Sequence, residues 1–291
     1  MLEQVVDQLR DELGVTTVHL TGGEPSLHPA ITEFVTNLRQ RGFTVRMTSN
    51  GTFRPSLLAQ LADAGLSSLN VSVLALNPES LATLQTGTKT EEWAKRQIAR
   101  ATSNLIQAKE SQINVTINCT ISAENDDWRG VFEFARRHGI VVRFQNDLYS
   151  AAAVGALQQI IRETSGRLIE VKTKNLTSRV TYTFRTPSGY LFSVKAILPV
   201  TLNSMCGNCQ YRNQCKEWFY TVRLEQGMPV NVRLCLHRND SHVVMSAEEF
   251  LMSKHFQLLK ALVCGQLSAK QSRHNETVLA AASGRGSFAY A

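Results

Sequence analysis

Residues 18–29 read VHLTGGEPSLHP, and the fold turns on how that stretch is parsed. Val18 to Leu20 is a short apolar strand that empties into two adjacent glycines, a glutamate and a proline. A tight turn needs at most one glycine, and a strand end facing a core does not ordinarily carry a carboxylate. Paired glycines allow backbone groups to approach a ligand with no Cβ in the way. Glu24 would add negative charge suited to an ammonium group, and Pro25 stiffens the exit. Taken alone, such a run is a turn with an incidental acid about as often as a ligand loop. The surrounding pattern has to decide.

Upstream, Leu2, Val5, Val6, Leu9 and Leu13 fall on one helical face, with Gly14 placed to close the helix. Downstream, Pro29 stands where a first-turn proline belongs, ahead of Ile31, Phe34, Val35 and Leu38, and Gly42 ends that helix. The unit then repeats. Strand FTVRMTSNG (43–51) precedes a helix begun by Pro55 and ended by Gly65; SLNVSVLAL (68–76) leads to a helix around Glu91–Lys109. INVTINCTI (113–121) leads to Trp128–His138, and IVVRFQND (140–147) to a helix carrying Val154, Leu157, Ile160 and Ile161. Strands separated by helices of this length predict an α/β fold with a parallel sheet and crossover connections, either part of a barrel or doubly wound. In both, ligands bind at the carboxyl ends of the strands, so TGGEP, TSNG and the Ser72 region are expected to cluster.

From about residue 170 the periodicity changes. Arg179–Arg185 and Tyr190–Ile197 flank TPSG as a predicted hairpin, a cysteine-rich segment follows, and a helix is expected around Ala247–Leu262. The closing ASGRGSFAYA reads as a loose tail. Two domains are therefore expected, residues 1–170 and 171–291.

The hydrophobic share of 43% and charged share of 19% suit a globular chain with a sizeable core. No apolar run reaches the ~20 residues of a membrane span. The opening MLEQVVDQLRDEL is interrupted by acids, unlike a signal peptide, so the cytoplasm is expected. Net charge is +7, from 31 Lys and Arg against 24 Asp and Glu. These cations are scattered, without an arginine-rich stripe interleaved with aromatics, which argues for a solvated basic surface over a nucleic-acid partner.

Six cysteines in such a chain are not read first as disulfides. Cys206, Cys209 and Cys215 lie in CGNCQYRNQC, and Cys235 follows in RLCLHR. Two-residue and five-residue spacings with a distant fourth suit zinc or an iron–sulfur cluster, because a pair two residues apart can aim both thiolates at one centre. Cys119, mid-strand among apolar neighbours, reads as a small buried hydrophobe, and Cys264 carries no signal. Arg223 and Arg233 are either phosphate or carboxylate ligands or simply exposed arginines.

Taken together, these residues resemble the radical S-adenosylmethionine superfamily. GGEP, Gly22–Pro25, after a strand is similar to the signature that holds the methionine amino group, and TSNG, Thr48–Gly51, to the usual TTNG of the next strand. Ser72 in NVSV corresponds to the serine or threonine that contacts the methionine part. INVTINCTISAEND, RHGIVVRF and the late cysteines are similar to the branch containing GTP 3′,8-cyclase of molybdenum-cofactor synthesis. The resemblance implies a partial (β/α) barrel lacking its first strand, plus a small C-terminal α+β domain. It implies S-adenosylmethionine at Gly22, Gly23, Glu24, Pro25, Thr48, Ser49, Asn50 and Ser72, and a twitch- or SPASM-like auxiliary [4Fe–4S] cluster on Cys206, Cys209, Cys215 and Cys235. A small-molecule, nucleotide or peptide substrate and a reductant such as ferredoxin or flavodoxin are implied as partners.

There are departures. Leu74 stands where close relatives have an acid, Thr116 where they have a lysine, and Cys215 is an extra cysteine that weakens GTP as the substrate. The CX3CX2C loop that cleaves S-adenosylmethionine is not found in the 291 residues. Two accounts compete: a sequence that starts late, with the loop encoded upstream, or a loop that has been lost. The first is favoured, because a barrel without its first strand exposes an apolar edge beside Leu20. The alternatives to a radical enzyme are a degenerate, cluster-bearing binding partner and, last, a zinc-stabilised nucleic-acid binder.

Overall fold

Five strands form where the periodicity places them, and each pairs in parallel with its sequence neighbour: β1 (Thr17–Leu20), β2 (Thr44–Ser49), β3 (Ser68–Ser72), β4 (Asn114–Ile121) and β5 (Val141–Asn146). The structure, a computed structural model, describes residues 2–85, 87–111, 113–122, 125, 127–147, 150, 152–173, 179–197, 206–210, 212, 215, 222–225, 227 and 229–263. Register is set by burial. Val45 and Met47, Leu69 and Val71, Ile117 and Cys119, and Val142 and Phe144 all point to one buried side. A slip of one residue would turn each row to the other face. Leu20 lies opposite Met47, Met47 opposite Leu69, and Cys119 opposite Phe144.

The intervening helices are α2 (Ile31–Gln40), α3 (Pro55–Asp63), α4 (Pro78–Leu84), α5 (Glu91–Glu110), α6 (Trp128–Arg137) and α7 (Ala153–Glu163). The β3-to-β4 connection, expected as one helix, is thus two. Asn77 caps the first by accepting from Ser80 N, and Thr90 caps the second by accepting from Trp93 N. Pro29 stands just ahead of the Ala30 cap of α2 rather than inside its first turn.

Three further strands complete the sheet: β6 (Arg167–Thr173), β7 (Arg179–Arg185) and β8 (Leu191–Ile197), in the order β1-β2-β3-β4-β5-β8-β7-β6. The sheet is open, since β1 and β6 are not neighbours among the described residues. The expected hairpin therefore joins the parallel sheet, with β8 running parallel to β5. Aromatic packing holds it there. Phe192 of β8 meets Phe132 of α6 at 5.6 Å and Phe184 of β7 at 5.3 Å between ring centroids. Each such pair contributes roughly 0.5–1.5 kcal/mol beyond its buried area. Tyr190 adds a polar tie, its hydroxyl donating to Ile140 O at 2.7 Å and accepting from Val142 N at 3.3 Å.

The chain divides into two compact units. One comprises Thr16–Val171 and Thr181–Lys195; the other comprises Met1–Val15, Lys172–Val180 and Ala196–Ala291. In the second unit, α1 (Leu2–Leu13) buries Val5, Leu9 and Leu13 in a core with Val232, Leu234, Val243, Phe250, Phe256 and Leu259. Its three-stranded antiparallel sheet has the order β11-β10-β9, from β9 (Arg223–Glu225), β10 (Asn231–Arg233) and β11 (Val244–Ser246). The helix expected over 247–262 is split into α8 (Ala247–Met252) and α9 (Lys254–Val263). Ser246 and Glu249 form a capping box at the start of α8, and Ser253 Oγ accepts from Phe256 N to start α9. Among the described residues, no helix is long and apolar enough to cross a membrane.

Candidate cofactor site

The turn after β1 is built by dihedral angle. Gly22 and Gly23 have φ of +90° and +39°, a region costly for any residue with a Cβ. Glu24 then caps a short 3-10 turn, Pro25–Leu27. Its Oε1 accepts from Ser26 N at 3.1 Å, from Ser26 Oγ at 2.6 Å and from Ser49 Oγ at 2.7 Å. Its Oε2 accepts from Asn50 N at 2.7 Å. The TGGEP and TSNG loops, 25 residues apart in sequence, are therefore joined through one carboxylate.

The TSNG turn is pinned from its other side as well. Asn104, a buried residue of α5, donates from Nδ2 to Gly51 O at 2.7 Å and to Phe53 O at 2.8 Å. Ser49 Oγ accepts from Gly51 N at 3.0 Å, and Asn50 Oδ1 accepts from Thr52 N at 2.9 Å. Gly51 has φ of +77°, and a Cβ there would meet Val71 Cγ1 at 2.6 Å, so this position admits only glycine without rearrangement. Thr48 belongs to a polar row across three strands: its Oγ1 lies 2.8 Å from His19 Nε2 and accepts from Asn70 Nδ2 at 3.4 Å.

Ser72, exposed, ends β3 one residue past Val71, which pairs with Ser49, so the ends of β2 and β3 stand level. Across the sheet Ser72 lies opposite Asn118, Asn118 opposite Arg143, and Gln145 opposite Lys195. Residues opposed in register share a face. Arg143 Nη1 donates to Asn118 Oδ1 at 3.3 Å and Gln145 Nε2 to Thr120 Oγ1 at 3.0 Å. The polar side of the strands thus carries cations at β2 (Arg46), β5 (Arg143) and β8 (Lys195), with neutral groups at β3 and β4.

The next two loops are laced in the same manner. Asp127 Oδ2 accepts from Leu76 N and Asn77 N, both at 2.7 Å, and Asn125 Nδ2 donates to Leu74 O and Thr120 O, both at 2.9 Å. Cys119, fully buried beneath them, has its thiol pushed up to about 12 by burial first and by the charge of Asp127 second. It stays protonated at neutral pH, as a small core residue should. Sequence reading passed over His19, Asn70, Asn104, Asn125 and Asp127. For Asn104 a signal existed: an amide on the same helical stripe as Ala101, Leu105 and Ala108 must find backbone partners.

The late cysteines belong to the second unit. Cys206, Cys209, Cys215 and Cys235 form no disulfide and are partly exposed. Cys209 N donates to Cys206 O at 3.2 Å, so this pair shares a turn. Arg238, bound to Asp240 at 2.7 Å, lies within electrostatic reach of both Cys209 and Cys235. Yet among the described residues no three His, Cys, Asp or Glu side chains are gathered to hold a metal ion. Arg233 donates to Glu225 Oε1, to Asn239 Oδ1 at 2.8 Å and to Arg238 O at 3.1 Å. It therefore braces the Cys235 loop, neither free for a phosphate nor merely exposed. Cys264, the tail and most of the 210–218 insertion lie outside the described residues.

Residues 1–135 match the family model of the radical SAM superfamily. The chain is 26% identical to the GTP 3′,8-cyclase of Chlorobaculum tepidum over 206 residues, 68% of this chain and 60% of that protein. It is 23% identical to the probable GTP 3′,8-cyclase of Methanothermobacter marburgensis over 263 residues, covering 88% and 79%. With the probable GTP 3′,8-cyclase of Sulfolobus acidocaldarius it shares 30% identity over 132 residues, covering 45% and 39%. The chain thus spans 60% or less of the length of two of these relatives. Among solved structures, Streptococcus suis SuiB aligns at 16% identity over 56% of this chain and 39% of that one, with a TM-score of 0.46. Archaeal TYW1 aligns at 19% identity over 59% and 61%, with a TM-score of 0.41. The family match spans both glycine-bearing loops and the strands that present them, and in this part the chain is similar to the radical SAM superfamily.

Proposed function

We propose that this chain binds S-adenosylmethionine at the TGGEP and TSNG loops and forms the cofactor-holding part of a radical enzyme. Beside the family-model match over residues 1–135, the observation that carries the reading is the carboxylate of Glu24, which bonds to Ser49 and Asn50 and brings the two loops to one place. When bound with a [4Fe–4S] cluster and an electron donor such as ferredoxin or flavodoxin, S-adenosylmethionine supplies a 5′-deoxyadenosyl radical that abstracts substrate hydrogen. No residue of this chain is assigned to that cluster. The glycine turn offers backbone groups unobstructed by a Cβ to the methionine end of the cofactor, and Thr48, Asn50 and Ser72 border the same strand ends.

The substrate side of the reading rests on charge. Arg143 and Lys195, beside Asn118 and Gln145 on one face, suit an anionic, hydrogen-bonding substrate, whether a nucleotide, an acidic peptide or a small metabolite. The late cysteines are retained only as candidates for an auxiliary [4Fe–4S] cluster, and no step is routed through them.

Equilibrium dialysis against radiolabelled S-adenosylmethionine tests the core claim. Saturable one-to-one retention is expected, lost in Gly22→Val and Gly23→Val but kept in Gly189→Val. Gly189 also has positive φ (+86°) but lies in the β7–β8 turn. No saturable retention by the native chain refutes the function.

A further inference from the structure

Resting on that reading of the site, we propose that Glu24 is a positioning residue: it acts through Ser49 and Asn50 and does not itself take the ammonium group of the cofactor. Charge and position in the sequence suggest a direct ionic contact. The hydrogen bonds favour another role. Four donors converge on this carboxylate, three on Oε1 at 2.6, 2.7 and 3.1 Å and one on Oε2 at 2.7 Å, so Oε1, with two lone pairs, is fully engaged. An ammonium approaching Oε1 would have to displace a charge-assisted bond that already holds the loop, and one approaching Oε2 would share that oxygen with Asn50 N.

The local backbone explains why such a latch is needed. β1 and β2 are paired only as far as Leu20 and Met47. Beyond that point the ladder stops, and the chain passes through two consecutive glycines, the residues that lose most conformational freedom on ordering. Glu24 follows them immediately and replaces the missing ladder with bonds to Ser49 Oγ and Asn50 N. Ser49 is buried, 2% exposed, and its hydroxyl both donates to Glu24 and accepts from Gly51 N. The charge of Glu24 is thereby passed through one hydroxyl to the TSNG turn. Asn104 grips that turn from α5. The two loops move as one body, and the loss of Glu24 unties both.

Ligand truncation separates positioning from direct contact. Binding of S-adenosylhomocysteine and of its ammonium-free analogue, 5′-S-(3-carboxypropyl)-5′-thioadenosine, is measured by titration calorimetry for the native chain, E24A, E24Q, S49A and E24A/S49A. If Glu24 positions, E24A weakens both ligands by the same factor, about tenfold or more, the scale of one lost charge-assisted bond. S49A also weakens both, and the double variant is no worse than E24A alone, the non-additivity expected of two ends of one interaction. E24Q keeps the shape but turns an N–H or loses charge toward Asn50 N, and is expected to fall between. Amide exchange at Asn50 and Gly51 speeds up in E24A without global unfolding, which shows that the fold survives. A direct contact gives the opposite pattern: E24A harms only the amino-bearing ligand and S49A is silent. That result overturns the proposal. Failure of the native chain to bind either nucleoside overturns the cofactor site itself, a separate outcome that takes the proposal with it.

Discussion

Replacing Gly51 by alanine probes the junction between fold and site most directly. The residue has φ of +77°, and an added Cβ would lie 2.6 Å from Val71 Cγ1 and 3.3 Å from Ala101 Cβ. Two costs arise. Left-handed backbone costs an L-residue roughly 1–2 kcal/mol, and forcing a methyl into a packed site costs about 1–3 kcal/mol. Gly51→Ala should therefore lose about 2–5 kcal/mol. Gly23→Ala is the control, because its φ of +39° is also left-handed but nothing lies within 4 Å of the new Cβ. It should lose only the backbone cost, roughly 1–2 kcal/mol. Equilibrium urea denaturation followed by tryptophan fluorescence reads both as shifts in midpoint at unchanged slope. A third measurement isolates the clash. Val71 is fully buried, and in a Val71→Ala background the obstructing methyl is gone, so Gly51→Ala should there add its backbone cost and only the smaller cost of the 3.3 Å contact with Ala101 Cβ. The coupling should then be about 1–3 kcal/mol. Equal losses at Gly51 and Gly23, or a Gly51→Ala increment indifferent to Val71, refute the packing account of the TSNG turn.

Asn104→Ala and Asn104→Asp should both destabilise the chain, by about 1–3 kcal/mol for each carbonyl left without a donor, and both should speed amide exchange in the 50–53 turn. An aspartate variant as stable as the native chain would show that the two Nδ2 bonds to Gly51 O and Phe53 O carry nothing. Cys119, with its thiol pushed up to about 12, should resist iodoacetamide at pH 8 in the native state, because the reactive thiolate is populated only as pH approaches that value. Cys209 and Cys235, partly exposed, should be alkylated under the same conditions. Peptide mapping checks this, and modified Cys119 in folded protein contradicts its placement.

The alternation of apolar strands with amphipathic helices from Val18 to Ile161 was sufficient, without coordinates, to establish a parallel α/β sheet, and the strands form where periodicity puts them. Local pattern also marked TGGEP and TSNG as strand-end loops, because glycine pairs and an acid after an apolar run are unusual wherever they occur. Other features depended on partners that periodicity cannot name. The stripe Val5, Leu9 and Leu13 shows that α1 must be covered, but not that Phe250, Phe256 and Val232, more than two hundred residues away, cover it. The segment Arg167–Thr173 is nearly all exposed, so it carried no burial signal, and it becomes a strand by position at the end of the sheet. The hairpin of β7 and β8 was legible as a hairpin. Its place beside β5 is decided by Phe192 meeting Phe132 and Phe184.

The same division runs through the site. Sequence identified Glu24 as an unusual acid, and tertiary structure decided what it touches: a hydroxyl and an amide from the next strand. Asp127, and the partners that the buried amide of Asn104 needs, became visible only when helices and loops distant in sequence were brought together. Periodicity reports which face of an element avoids water, since that preference belongs to each residue alone. A hydrogen bond needs donor and acceptor within about 3 Å in a narrow range of angles, and only the folded chain supplies that distance.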